Sequence, residues 1–532
     1  MAASIPTTAP DFGSLDYGVI GLYIVLVLAI GFLAGRGERD AEDYFLAGRA
    51  LPWYLIGLSF FASNMSGASF VGLMGAAYQY GMVVFNYEWT AAVVLIVFAL
   101  FMLPVFLRAR LFTVPEYLEA RFDRRSRRLY AVFTILTLLL IDIAGALYAG
   151  SVVVGTLFPH IALWQTGAAL ALLAGAYTAF GGLRAVVVTD ALQAVLIYLG
   201  ASLIFVYGLS AAGGWDALMA GLDAAQTRLI RPADDAFLPW PGILGVILLG
   251  FYYWTLNQYF VQRALAARSL DHGRKGALFG GLLKLPNLFL MIVPGMIAIT
   301  LLPDLENPDQ VFPAITLELL PVGLRGLILA ALLAAIMSSL DSALNAAASL
   351  LTMDLVRPAR PDIDGRRLLA LGRAFTIVLI AVAALYAPLI ERFGSLFQYF
   401  QSTLAYIVPP IVAVYFGGLF CRRVTAGAAF PALTAGLAVG LALFLGKEVS
   451  GLWQASGLPA VHFTYMALAL FIFSAAVLAL VSVTSPAPAD TAMIFRKSDL
   501  APETAPPHRL ADYRVQAAAL AALTAAMLLW LW

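Results

Sequence analysis

Apolar runs recur along the whole chain and are separated by short polar gaps. Roughly 20 apolar residues are enough to cross the hydrocarbon of a bilayer. Fourteen such runs are read, near 16–35, 52–81, 84–108, 128–158, 160–181, 184–212, 240–264, 274–303, 325–356, 367–391, 394–419, 425–446, 459–482 and 512–532. Their apolar character is continuous rather than alternating, which predicts helices and not barrel strands. A helix satisfies the backbone polar groups within its own segment, as lipid requires. The pattern therefore predicts an all-α polytopic membrane protein with about 14 transmembrane helices. The longest gaps, about 213–239 and 483–511, are too short for a separate soluble core. The second is Pro-rich and reads as a cytoplasmic linker.

The distribution of Lys and Arg sets the expected orientation. With the N-terminus outside, the inside loops and helix ends hold 26 of the 32 basic residues. The outside loops hold five: Arg228, Arg231, Arg325, Arg392 and Lys447. Lys284 lies within a span. Both termini are thus expected on the extracytoplasmic side of a plasma (inner) membrane. Composition agrees: 62% of the 532 residues are hydrophobic, 12% are charged, and mean hydropathy is +0.89. Acids and bases nearly cancel, at 31 and 32, so no basic surface points to nucleic acid. The single cysteine, Cys421, excludes a disulfide framework, and four scattered histidines show no metal spacing. The first residues have no positively charged region, so no cleavable signal peptide is expected.

Polar residues inside the spans are the candidate chemistry. A carboxylate at the centre of a lipid-facing helix costs about 2.5–3.5 kcal/mol, so intramembrane charges point to function. Five stand out: Glu88, Asp142, Asp190, Lys284 and Asp341. Asp142 and Lys284 are candidates for an ion pair. The second span carries Ser63, Asn64, Ser66, Gly67 and Ser69 in its middle. Glycine weakens a helix and hydroxyl side chains compete for its backbone bonds. The stretch reads either as a break that frees carbonyls or as a packing face of small residues. In "AAIMSSLDSALN", Ser338, Asp341, Ser342, Asn345 and then Ser349 recur at spacings of three and four, on one helix face. Hydroxyl and carboxylate oxygens suit a hard cation. The eleventh span has its own disruption at Pro409–Pro410. Asn64, Glu88, Tyr253, Trp254, Lys284 and Gln401 are of the kinds that meet sugar hydroxyls and a pyranose face.

These motifs resemble the sodium:solute symporter family, and within it the sodium–glucose/galactose cotransporters. The resemblance runs from about Asp43 to the end of the last span. It is carried by "LPWYLIGLSFFASNMSG", "FNYEW", "VPEYLEARF", "FGGLRAVVVTDALQ", "YYWTLNQYFVQRALAARSL", "GGLLKLPNLF", "AAIMSSLDSALNAAASLLTMDL" and "FQYFQSTLAYIVPP". It implies a core of two inverted five-helix repeats, broken at the midplane. The repeats would cover 52–212 and 240–419, after an N-terminal segment 1–51 and with a loop 213–239 between them. Three peripheral helices would follow in 420–532.

The resemblance also implies site residues. Sodium would meet the backbone oxygens of Ala62, Met65 and Ala335 and the hydroxyls of Ser338 and Ser339. A second cation would meet Asp190, Ser338, Asp341 and Ser342. Sugar contacts would be Asn64, Ser69, Glu88, Tyr253, Trp254, Lys284 and Gln401. Ser69 stands where better-known sugar members carry a larger Gln or His, which loosens the choice of sugar. Tyr253 would be the inner gate, and Leu73, Tyr87 and Phe397 the outer gate. The expected activity is sodium-coupled import of a neutral, glucose- or galactose-like sugar by alternating access. The coupling ion is Na+ and no organic cofactor is expected. A same-family symporter for myo-inositol, sialic acid or an amino acid is the nearest alternative. A membrane sensor or a channel is the alternative from another class. No nucleophile–base pair or metal motif suggests an enzyme.

Overall fold

A computed structural model describes residues 13–36, 40–67, 69–157, 161, 163–386, 396–485, 492–503 and 506–532. Helices lie over all fourteen predicted segments. Among the described residues, ten helical stretches are long and apolar enough to cross a membrane, and one bent pair makes an eleventh. The chain opens with α1 (Ser14–Ala34). The second segment is divided into α2 (Trp53–Asn64) and α3 (Met74–Tyr80), with a π-turn at Ser69–Leu73. Then follow α4 (Asn86–Val97), α5 (Arg124–Thr137) and α6 (Ala144–Leu157). The predicted fifth and sixth segments form one long helix, α7 (Leu163–Ala211), kinked at Gly182. Gly182 has φ 51° and ψ −160°, which only a residue without Cβ adopts at little cost.

The seventh segment is divided like the second, into α8 (Ile243–Phe251) and α9 (Gln258–Leu265). After it come α10 (Leu270–Lys284), α11 (Val293–Leu301), α12 (Leu324–Leu350) and α13 (Gly365–Tyr386). α14 (Leu396–Ile407) and α15 (Pro409–Phe420) meet at a bend of 51°. Proline at the start of α15 cannot continue the backbone ladder of α14, and that accounts for the bend. α16 (Ala426–Phe444), α17 (Phe463–Thr484) and α18 (Tyr513–Leu531) complete the chain.

Burial ranks these helices. The helix containing α12 has 89% of its most apolar window buried, against 17% for α1 and for α18. α12 is therefore the centre of the bundle, and the first and last helices lie at its edge. Asp16 fastens α1 to the centre. Its carboxylate accepts from the backbone N–H groups of Gly323 at 2.7 Å and Gly326 at 2.6 Å, at the start of α12. Those donors have no partner within the helix itself. The described part of the Pro-rich linker is docked rather than loose. Arg108 donates to Ala492 and Ile494 carbonyls, both at 3.0 Å, and the Phe495 ring packs on Phe101 and Phe420.

Candidate functional site

The site is built around the gap between α2 and α3. Helix α2 stops at Asn64, and Met65 has ψ 72°. In a continuous helix the Ser66 N–H would bond Ala62; here it turns to the Asn64 carbonyl at 2.9 Å. The Ser69 hydroxyl donates to the same carbonyl at 2.8 Å, and the Ser69 N–H bonds Ser66 Oγ at 3.2 Å. Serine hydroxyls thus take over bonds that the helix would have made. Of the two sequence readings, the break is the one present. The seventh segment is interrupted in the same way. After a π-turn at Tyr252–Leu256, Asn257 is extended, with ψ 122°, and its side chain caps α9.

The middle of α12 faces the gap. Ser338 and Ser339 are turned inward, away from lipid, and both are buried. Ser339 Oγ lies 3.0 Å from the Ser63 carbonyl and 3.0 Å from the Ala335 carbonyl. The Tyr259 hydroxyl donates to the same Ser63 oxygen. Ser338 donates to Asp190 Oδ1 at 2.7 Å, and Ser342 to Asp341 Oδ1 at 3.1 Å. Ser63 donates to Asp190 Oδ2 at 3.2 Å and lies 3.0 Å from the Ser342 hydroxyl. The four residues expected at a second cation are therefore one hydrogen-bonded cluster. Among the described residues no group of three His, Cys, Asp or Glu could hold a metal. The oxygens gathered here are hydroxyls, carbonyls and two carboxylates, a donor set of the hard-cation kind.

Arg263 lies near the end of the seventh segment. α9 carries it into the centre, where it is fully buried. Its guanidinium lies 3.3 Å from Asp190 Oδ2 and 2.6 Å from Ser63 Oγ, and it also donates to Ser59, Ser342 and the Tyr259 carbonyl. Asp190 and Arg263 thus balance each other out of water.

Beside this hydrogen-bonded cluster lies a cavity of about 140 Å³. Its walls include Asn64, Ser69, Glu88, Tyr253, Trp254 and Gln401, with Leu73 and Tyr87. Lys284 reaches this group from α10. It pairs with Glu88, donates to Asn64 Oδ1 and stands 5.7 Å over the Trp254 ring. The expected pairing of Lys284 with Asp142 is therefore not formed; the cation has gone to Glu88. Asp142 lies in a π-turn at Leu138–Ile143. Tyr253 OH accepts from Asn64 Nδ2 at 3.3 Å, and its ring packs on Trp254, Tyr259 and Phe260. Gln401 also lines a wider cavity of about 810 Å³, bounded by residues 233–237, 447–449 and 460–463. The side chain of Phe397 falls outside the described residues.

Four participants escaped the sequence reading: Ser59, Tyr259, Arg263 and Asn287. Asn287 donates to Glu88 Oε2 at 2.5 Å. An amide directly after Pro286 inside an apolar run was the available signal for it.

Comparison with known proteins agrees with this architecture. The family described as "Sodium:solute symporter family" matches residues 44–436. The chain is 33% identical to a sodium/glucose cotransporter of Vibrio parahaemolyticus, over 81% of this chain and 85% of the relative. It is 36% identical to sodium/myo-inositol cotransporter 2 of Rattus norvegicus, over 80% of this chain and 69% of the relative. Its fold is similar to that of a Na+-coupled sialic acid symporter solved in a substrate-bound outward-open state. That match has a TM-score of 0.78 and 23% identity, and covers 90% of this chain and 99% of the other.

Proposed function

This chain belongs to the sodium:solute symporter family, and from that membership we propose that it imports a neutral sugar or polyol together with Na+. The observation that carries the solute class is the pairing of Lys284 with Glu88, which lines the small cavity. A carboxylate and an ammonium that neutralise each other leave hydrogen-bonding capacity without net charge. Amide groups of Asn64 and Gln401, the Ser69 hydroxyl and the Trp254 ring complete a surface suited to hydroxyls and a pyranose face. An amino acid or a sialic acid carries a carboxylate and would need an unpaired cation there; Lys284 is engaged. Glucose, galactose and myo-inositol all satisfy this chemistry. A passive channel would leave such a walled cavity without a purpose.

In this reading Na+ sits at the break, held by the carbonyls of Ala62, Met65 and Ala335 and by Ser338 and Ser339. A second cation would draw on Asp190, Ser338, Asp341 and Ser342 in place of the Arg263 guanidinium, which donates to Asp190 and Ser342 in this structure. Residues 52–212 and 240–419 are the two inverted repeats, which accounts for similar breaks in the second and seventh segments. Tyr253 closes the solute from the cytoplasmic side, and Leu73 and Tyr87 from the other. The wide cavity beyond Gln401 is then the outer approach, and both termini lie outside. The cation changes the balance between outward- and inward-open states only through its different affinity for each. The deciding measurement is uptake of labelled glucose, galactose and myo-inositol into proteoliposomes, with Na+ inside, outside or replaced by K+. Uptake driven by an inward Na+ gradient for at least one of them is expected. Uptake that ignores Na+, or that is confined to charged solutes, would overturn the reading.

A further inference from the structure

Asn287 stands at the end of the turn that follows α10, and it is fully buried. Its amide nitrogen has two hydrogens and two partners. One is Glu88 Oε2 at 2.5 Å; the other is Met65 Sδ at 3.2 Å. The carboxylate fixes the orientation of the amide, since the flipped amide would set its oxygen against an anion. Asn287 Oδ1 is then left buried and without a partner among the described residues. Buried polar atoms are nearly always satisfied. An asparagine serving only to pack would be replaced by an apolar residue at no loss.

The partners matter because they belong to different parts of the site. Glu88 is in the cavity wall and pairs with Lys284, whose ammonium donates to Asn64. Met65 is the first residue of the break in the second segment. A ring of side chains therefore runs from Met65 through Asn287, Glu88 and Lys284 to Asn64, and the chain itself closes it, since Asn64 and Met65 are neighbours. The geometry points to Asn287 as the positioning residue that couples cation binding at the break to solute binding at Glu88. The inference rests on the reading of the preceding section. A cation that draws in the Met65 carbonyl moves the whole residue. The sulfur carries the Asn287 amide with it, and the amide sets where Glu88 presents its second oxygen. A solute hydroxyl held by Glu88 acts back along the same ring. Such coupling is reciprocal for binding affinities.

The experiment is equilibrium binding of labelled galactose and glucose to the purified full-length protein in nanodiscs, with Na+ exchanged for choline at constant ionic strength. The ratio of Kd without Na+ to Kd with saturating Na+ is the coupling factor, typically about 5–150. Asn287→Leu keeps the branched shape and removes both donors; it should lower that factor towards one, chiefly by weakening the Na+-saturated state. Asn287→Gln, which keeps an amide, should restore part of it. If Asn287→Leu does not fold, Asn287→Ala, which also lacks a side-chain donor, gives the same reading with less bulk. A wild-type factor in the Leu or Ala variant, affinity being lost equally with and without Na+ or not at all, would overturn the inference. A wild-type protein that binds these sugars with no effect of Na+ would overturn the underlying function as well, and is distinguished by needing no variant at all.

Discussion

Glu88 and Lys284 are 5% and 1% exposed, and neither charge has bulk water to turn to. Removing one member of a buried pair leaves the other uncompensated, at a cost of about 3–5 kcal/mol. Glu88→Gln and Lys284→Met should each lower the thermal stability of the detergent-solubilised protein strongly. The double variant should recover much of that stability while sugar uptake stays absent. Equal losses that simply add in the double variant would show that the two residues do not depend on each other. Ser339 supports a different expectation. Its hydroxyl stands between the Ser63 and Ala335 carbonyls at 3.0 Å from each. Ser339→Ala should raise the Na+ concentration for half-maximal uptake about tenfold, equivalent to roughly 1.4 kcal/mol. The apparent affinity for sugar at saturating Na+ should change much less. Unaltered Na+ activation in that variant would remove Ser339 from the cation site.

The contrast between α2 and α12 is one of element design. α2 is cut short by Ser66, Gly67 and Ser69, while α12 runs unbroken for 27 residues and keeps its polar side chains on one face. An unbroken α12 depends on how its first turn is satisfied, and Asp16 supplies that from another helix. Asp16→Ala should cost about 1–2 kcal/mol, the usual loss for a helix cap. Thermal unfolding would measure it, and an unchanged midpoint would show that α1 is only loosely attached. At the start of α17, His462 accepts from the Thr464 N–H at 3.4 Å and lies 2.7 Å from its hydroxyl. Burial holds its imidazole below the ordinary histidine range, against the opposing pull of Asp235 and with Lys447 adding to the effect. The folded protein thus favours the neutral ring. As pH falls below about 6.5, the unfolded chain takes up the proton first, so this part of the stability is lost. His462→Asn, which keeps an acceptor for the cap, should flatten the acid side of the stability profile below about pH 6.5. A variant profile parallel to that of the wild type would assign the acid sensitivity elsewhere.

For the whole molecule the question is how much work an ion can do. A membrane potential of about 100 mV supplies roughly 2.3 kcal/mol per charge. A tenfold Na+ gradient adds about 1.4 kcal/mol. One ion per sugar would sustain a solute gradient of about several hundredfold, and two ions about the square of that. In proteoliposomes with both gradients imposed, collapsing the potential with an ionophore should lower the steady-state accumulation about fiftyfold for one ion per sugar. A much larger drop would indicate two. Accumulation indifferent to the potential would mean that the translocated complex carries no net charge.

The helical class, the positions of the apolar segments and the break in the second one were legible because each is set locally. Segment length, small polar residues in sequence and spacings of three and four act within a single helix. The same locality made Ser338, Asp341 and Ser342 readable as one face, and the motifs made the family readable. What the tertiary structure decided was which charges meet. Lys284 goes to Glu88 rather than Asp142, and Arg263 is buried against Asp190. Asn287 gains its meaning only by standing between Glu88 and Met65. The reason is physical. A helix fixes the direction of its side chains about its own axis. The energy between two buried groups depends on the distance across separate helices, which their packing sets and no stretch of sequence contains.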